Sequence, residues 1–329
     1  MRSRAMKAVV VAVLAVSLAS PLDAAALDKA SFRLSWLISA TAAPFYLGLD
    51  KGFYKAEGID LTIEEGKGAA LSAKLVAQKQ DTFGMADAGV VINSIEQGMP
   101  IRMFWCHYQQ NPSSVLFLKD QPIKEPKDLI GKKVAGSATA SHTLLLKSFL
   151  KLTGVDPGRV DVLYTNPPFI PLLLARKVDA MAGYYFLEAP TIEERSGQEV
   201  GALKFADFGL STLSNGLIVH HDTLKSNPDL VQRFVRATTR AWAYSQQNPG
   251  EAIDSMLSRV PKAMNRATEL KILRGLFEIL HSKHTAGKPL GWMAPQDWQQ
   301  TVDVLHDAGE IKVKSQIDKY YTNDHIAVK

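Results

Sequence analysis

The sequence predicts an α/β fold in two similar lobes, each built on a mixed sheet and joined to the other through a hinge. Three observations carry that expectation. The first is a unit stated twice. Leu75-Val76-Ala77-Gln78-Lys79-Gln80-Asp81-Thr82-Phe83-Gly84-Met85 runs into Ala86-Asp87-Ala88-Gly89-Val90. Leu173-Leu174-Ala175-Arg176-Lys177-Val178-Asp179-Ala180-Met181-Ala182-Gly183 runs into Tyr184-Tyr185-Phe186-Leu187-Glu188. Each copy reads as a helix end, a tight polar turn, a short buried strand and a loop at the strand's carboxyl end, where open α/β sheets bind ligands. The second is the alternation of strand and helix patterns on both sides of a polar connection. The third is a strand, Leu217-Ile218-Val219, that returns from the second series. The second lobe is therefore inserted into the first, with lobe one over 27–117 and 217–329 and lobe two over 118–216. The two crossing segments, near 115–119 and 217, form a hinge suited to closure around a ligand.

The elements follow in order. Residues 31–37 lean apolar and read as a first strand, and 41–55 as a helix, with Pro44 tolerated near its start. Gly58 ends that helix, and Ile59-Asp60-Leu61-Thr62-Ile63 alternates strictly, as a half-buried strand does. Gly66-Lys67-Gly68 turns into a helix over 69–78, and the first copy of the unit follows. Ile101-Arg102-Met103-Phe104-Trp105-Cys106 is a strand-like apolar run. Gln121-Pro122-Ile123-Lys124-Glu125-Pro126, polar and punctuated by proline, reads as the connection between lobes. Beyond it come a strand at 132–135, a helix over 142–152, a strand over 160–164, a helix after Pro167-Pro168 and the second copy of the unit. Asn227-Pro228 caps a long amphipathic helix through 244, since Asn suits the N-cap and Pro the first helical position. The remainder, 250–329, reads mostly as helix.

A chain of 329 residues has ample material for such a core. Its beginning does not belong to the fold. Arg2, Arg4 and Lys7 precede an uncharged run of thirteen residues, 8–20, and then Ala24-Ala25-Ala26. That is the secretory signal pattern, with cleavage expected after Ala26. Thirteen residues fall short of the roughly 20 that a bilayer core requires. Removing residues 1–26 leaves 35 basic and 32 acidic residues, a balance with no basic stripe for nucleic acid. Cys106 is the single cysteine, so an exported chain has no internal disulfide to form, and a buried structural thiol is expected. The eight histidines include His220-His221 but no H-E-x-x-H or Cys/His spacing, so no metal is expected.

The stretch Pro44-Phe45-Tyr46-Leu47-Gly48-Leu49-Asp50-Lys51-Gly52-Phe53-Tyr54-Lys55-Ala56-Glu57-Gly58-Ile59-Asp60-Leu61 resembles the periplasmic solute-binding proteins of ABC importers. So do Lys127-Asp128-Leu129-Ile130-Gly131-Lys132-Lys133-Val134 and Asn227-Pro228-Asp229-Leu230-Val231. The resembling branch takes sulfonates, taurine, nitrate and thiamine-pyrimidine precursors. The resemblance implies a two-lobe periplasmic-binding-protein fold, type II-like. It also implies a monomeric periplasmic receptor that binds a small molecule, without a cofactor, and delivers it to an ABC permease and ATPase. Trp36 and the segment Tyr184–Glu188 are most similar to the branch for aminopyrimidine precursors of thiamine, with Trp36, Tyr184 or Tyr185, and Glu188 matching its aromatic and glutamate positions. Ser35, Ser39, Ala40, Phe186 and Leu187 depart from that pattern. The fold also resembles a pyrimidine synthase, but that enzyme type carries a cysteine-rich motif, so a binding protein and not an enzyme is expected.

The residues themselves allow this chemistry. A flat heteroaromatic ring gains roughly 0.5–1.5 kcal/mol per stacking contact beyond area burial, here on Trp36 and Tyr185. Strand alternation points one of Tyr184 and Tyr185 inward and the other into the cleft. Glu188 can accept charge-assisted bonds from an amino group and a ring N–H, or cap the helix that follows. Ser137-Ala138-Thr139-Ala140-Ser141-His142 leads into a helix whose free N–H groups can hold an anion, so Ser137 and Thr139 are candidates. Asp87 and Asn166 occupy equivalent sheet ends, Lys67 sits between two glycines, and Ala42 completes the candidate set. These loops hold no arginine, which weighs against a small inorganic anion and leaves an alkanesulfonate as the alternative.

Overall fold

The computed structural model describes residues 26–260 and 264–327; all but the last residue of the expected leader lies outside these. The chain opens with β1 (Asp28–Arg33), α1 (Ala43–Asp50), α2 (Phe53–Ala56), β2 (Ile59–Glu64), α3 (Ala69–Ala77), β3 (Phe83–Asp87), α4 (Ala88–Glu96) and β4 (Ile101–Cys106). Next come β5 (Ser113–Leu118), β6 (Lys133–Gly136), α5 (Ser141–Leu152), β7 (Asp161–Tyr164), α6 (Ile170–Leu174), β8 (Ala180–Tyr184), α7 (Tyr185–Ser196) and β9 (Val200–Lys204). It closes with β10 (Asn215–His220), α8 (His221–Ser226), α9 (Pro228–Gln247), α10 (Pro249–Leu257), α11 (Arg266–Phe277) and α12 (Pro295–Asp307).

Two five-stranded sheets result, with orders β2-β1-β3-β10-β4 and β7-β6-β8-β5-β9. In the first, β1 runs parallel to β2 and β3, and β10 runs antiparallel to β3 and β4. The second repeats this pattern, with β6 parallel to β7 and β8, and β5 antiparallel to β8 and β9. The repeated sequence unit thus supplies the middle strand of each sheet, β3 and β8. Each lobe's antiparallel strand, β5 or β10, is made as the chain crosses over. The crossings lie at residues 107–112 and 205–214.

The first crossing falls earlier than the expected boundary at 117, because β5 pairs in the second sheet. Every residue of β5 is buried, so the run shows no alternation to separate it from the apolar strand before it. The proline-rich 121–126 is a loop inside lobe two. Two elements also shift. The expected first helix is interrupted at Gly52, whose φ of 67° is a left-handed conformation that glycine adopts without penalty. The first strand ends at Arg33, and the chain after it, 34–39, turns into the cleft.

The lobe-one core stacks Phe83 on Phe234 with ring centroids 4.1 Å apart, and packs Phe32, Phe45 and Trp242 around them. Helix α9 supplies Phe234 and Trp242, and its start is capped as expected, with the Leu230 N–H donating to Asn227 at 3.2 Å. Burial of each such side chain is worth about 1.5–3 kcal/mol. The lobes are closed on each other. Tyr184 and Phe186 join the lobe-one core, and α7 rests on α11. Thr139 Oγ1 donates to the Lys67 carbonyl at 2.7 Å, and Ser148 Oγ donates to Glu310 at 2.6 Å. Among the described residues no helix is long and apolar enough to cross a membrane, and no His/Cys/Asp/Glu group could hold a metal ion.

Candidate functional site

Strand ends and helix starts from both lobes meet around a cavity. It is lined by Ser35 and Trp36 after β1, Thr41 before α1 and Ala69 at the start of α3. Lobe two supplies Ala140, Ser141 and His142 at the start of α5, Tyr184 at the end of β8, and Leu187 and Glu188 on α7. The crossing segments add Tyr108, and β10 adds Asn215. The cavity is small, with ≈ 30 Å³ of free volume. That is room for about two waters, so a ligand must part the lobes slightly to enter.

The walls are aromatic. Trp36 meets His142 edge-on at 5.6 Å and Phe169 at 6.0 Å, and Tyr108 meets Tyr184 edge-on at 6.0 Å. The polar groups between them are buried. The Tyr184 hydroxyl lies 2.6 Å from Ser141 Oγ and 3.4 Å from Ser214 Oγ. Asn215 Nδ2 donates to Ser35 Oγ at 3.3 Å, while Asn215 Oδ1 and His142 Nε2 are buried with no hydrogen-bond partner. Burial lowers the His142 pKa to about 3, so its ring is neutral. Glu188 Oε2 accepts the Tyr184 N–H at 2.7 Å. Burial raises the Glu188 pKa to about 8, against the lowering effect of backbone hydrogen bonds. The closed site therefore holds a carboxylic acid at neutral pH, able to donate and accept side by side. No lysine or arginine is among the residues that line it.

Of the candidates from sequence, Trp36, Tyr184 and Glu188 come together here. Glu188 does not cap a helix that follows it but lies in the first turn of α7, where it accepts the Tyr184 N–H and lines the cavity. The others are dispersed. Tyr185 turns away, because β8 ends at Tyr184 and α7 begins at Tyr185; its ring lies 4.2 Å beneath the Lys204 ammonium. Asn166 is exposed in a loop, and Ala42 is buried behind Thr41. Ser137 and Thr139 bond to each other at 3.1 Å just before the lining residues. Lys67 contributes its carbonyl to the closing contact with Thr139. Asp87 caps α4, accepting the Gly89 N–H at 2.8 Å, and lines a neighbouring cavity. Burial raises its pKa to about 6, held back by Ser214 and the Gly89 and Val90 amides. Tyr108, Thr41 and Asn215 were not anticipated. Correct placement of the crossings would have pointed to Tyr108 and Asn215, since hinge segments floor a cleft.

Comparison with known proteins identifies the lineage. The sequence pattern described as NMT1/THI5 like matches residues 39–252. The chain belongs to that family. A riboflavin-binding protein, RibY, of Chloroflexus aurantiacus is 27% identical over 309 residues, covering 91% of this chain and 86% of its own. A formylaminopyrimidine-binding protein of Halalkalibacterium halodurans is 19% identical, covering 87% of each chain. A Saccharomyces cerevisiae relative, 23% identical over 72% of this chain and 73% of its own, is named a 4-amino-5-hydroxymethyl-2-methylpyrimidine phosphate synthase. Among solved structures, the alkanesulfonate-binding protein SsuA of Xanthomonas axonopodis superposes with a TM-score of 0.69 at 13% identity, covering 89% of this chain and 98% of that one. The NMT1/THI5 like chain thus has the periplasmic-binding-protein fold anticipated from its sequence.

Proposed function

We propose that this protein is the periplasmic receptor of an ABC importer and captures a flat nitrogen heterocycle, of the aminopyrimidine class, between its lobes. The observation that carries this reading is one cavity that sets aromatic rings around a protonated carboxyl, with no cationic side chain lining it. Trp36 offers a face or edge to the ring. Glu188 pairs with its amino and ring-nitrogen edge, and Asn215 Oδ1 and His142 Nε2 gain the partners they lack. Relatives named for riboflavin and formylaminopyrimidine binding support a heterocycle. The free space favours the smaller ring, since a flavin demands wider parting of the lobes.

An alkanesulfonate is the second reading, favoured by the starts of α3 and α5 that meet at the cavity through Ala69 and Ala140–His142. Calorimetric titration of the mature chain with formylaminopyrimidine, 4-amino-5-hydroxymethyl-2-methylpyrimidine, riboflavin, taurine and MOPS separates the two. Saturable binding of the heterocycles alone supports the proposal, and binding of the sulfonates alone overturns it. Recovery of the bound heterocycle unchanged distinguishes a receptor from a synthase. Loss of labelled-ligand uptake on deleting the gene, restored by the secreted chain, tests the importer role.

A further inference from the structure

We propose that Phe186 is a latch: a ring carried by lobe two that seats in the core of lobe one, holds the cleft shut in the free protein, and so sets the affinity of the site without touching the ligand. This rests on the heterocycle reading and names what governs closure of that same site.

Phe186 parts company with the rest of its helix. Further along α7, Ile192 packs with lobe two's own Leu116, Leu173 and Met181. Phe186 is only 5% exposed, yet it sits in the lobe-one cluster with Ile272, Leu273 and Leu276 of α11. Its ring meets Tyr108 of the first crossing edge-on at 5.6 Å. Facing it, α11 carries Gly275, where a Cβ would lie 3.1 Å from the Phe186 Cβ. That is inside the roughly 3.5–4.0 Å at which carbon atoms pack best. Glycine within a helix weakens it, so α11 sacrifices helical stability at a position where α7 comes close. Ring and seat belong to different lobes, and their contact exists only in the shut cleft.

The latch is tied to the site through the chain. Leu187 and Glu188 follow Phe186 in the first turn of α7 and line the aromatic cavity, whereas Phe186 is not in that lining. One helical turn therefore seats the ring and delivers two ligand contacts together. The ion pair between the same two helices, Lys271–Glu193, is exposed and contributes far less than a buried ring. Seating Phe186 thus raises the population of the shut form before a ligand arrives. A ligand that binds the shut form gains affinity in proportion to that population.

Three variants test this. Phe186→Ala removes the ring, Phe186→Leu keeps an apolar side chain in the seat, and Gly275→Leu leaves the ring but blocks the seat. The last also restores helix propensity to α11, so it carries the test should Phe186→Ala fail to fold. Small-angle scattering of the free proteins is expected to give a larger radius of gyration for Phe186→Ala and Gly275→Leu than for the wild type, with Phe186→Leu close to it. By calorimetry with 4-amino-5-hydroxymethyl-2-methylpyrimidine and riboflavin, those two variants are expected to bind roughly ten- to hundredfold more weakly, as loss of a buried ring implies. Phe186→Leu is expected to recover most of that affinity. Free-protein scattering unchanged in both variants, or affinity unchanged in both, overturns the inference while leaving the heterocycle reading standing. Failure of both heterocycles to bind the wild type overturns the heterocycle reading, and the scattering comparison still decides the latch.

Discussion

Glu188 offers the most demanding test of a closed, dry cleft. Burial lifts its carboxyl from 4.5 to about 8, while the Tyr184 N–H works in the opposite direction. The unfolded chain releases this proton near 4.5 and the folded chain only near 8. The group therefore favours folding fully below the lower value, and that contribution is lost as pH climbs through the upper one. Inside the window each pH unit weakens folding by about 1.4 kcal/mol, so this group alone removes about 3 kcal/mol between pH 5 and pH 8. Glu188→Gln keeps the shape and the oxygen that accepts the Tyr184 N–H, but has no proton to lose.

Urea denaturation of both proteins at pH 5, 6.5 and 8 reads the difference directly. Wild type minus variant is expected to fall by about 3 kcal/mol across that range. Asp87, raised to about 6, titrates in both proteins and cancels. A difference flat in pH refutes the reasoning. It would mean that Glu188 ionises as freely folded as unfolded, so that water reaches the cavity and the site is not the desolvated pocket described here.

Three other outcomes are expected. Trp36→Ala removes the largest ring facing the ligand and should weaken heterocycle binding about tenfold or more by calorimetry; unchanged affinity removes Trp36 from the site. Gly68→Ala should hold the cleft ajar, because a Cβ there meets Thr139 Oγ1 at 2.2 Å and the residue's φ is +131°. Small-angle scattering with saturating ligand should then give a larger radius of gyration than the wild type, and identical profiles would count against closure through this contact. Cys106 is fully buried, and burial pushes its thiol pKa up. A thiol reagent should modify it only as fast as the protein unfolds, and rapid labelling of the native chain would show β4 to be accessible.

Much of the architecture was legible because the repeated unit forms β3 and β8, short strands buried on both faces and followed at once by helices. That local pattern needs no knowledge of what lies elsewhere in the chain. The crossing was misplaced because β5 is equally buried throughout, and nothing in its residues says which sheet it joins. Within the site, Trp36 and Glu188 stood out through the resemblance to the branch for aminopyrimidine precursors, at its aromatic and glutamate positions. Strand alternation left open which of Tyr184 and Tyr185 faces the cleft; β8 ends at Tyr184, which lines the cavity, and the helical start at Tyr185 rotates that ring out. Tyr108 and Asn215 carry no local signature. They become neighbours only when the two crossings lie side by side, where the Asn215 carbonyl accepts the Tyr108 N–H at 3.0 Å.

That last contact bears on how binding and closure are coupled. Tyr108 and Asn215 stand at the hinge, Trp36 on lobe one, and Glu188 on lobe two, so the proposed set of ligand contacts is complete only when the lobes are shut. A ligand shifts an equilibrium only by its difference in affinity for the two states, and here that difference resides in the contacts from the far lobe. The contacts that close the cleft without ligand are of two kinds: Tyr184 and Phe186 are buried in the lobe-one core, while others are exposed, the Lys271–Glu193 ion pair leaving its side chains 65% and 39% accessible. Exposed pairs are worth at most about 1 kcal/mol. The buried apolar contacts therefore carry most of what holds the lobes together without ligand. In the proposed site, a heterocycle that pairs with the buried, unpartnered Asn215 Oδ1 and His142 Nε2 adds to that difference in favour of the shut cleft.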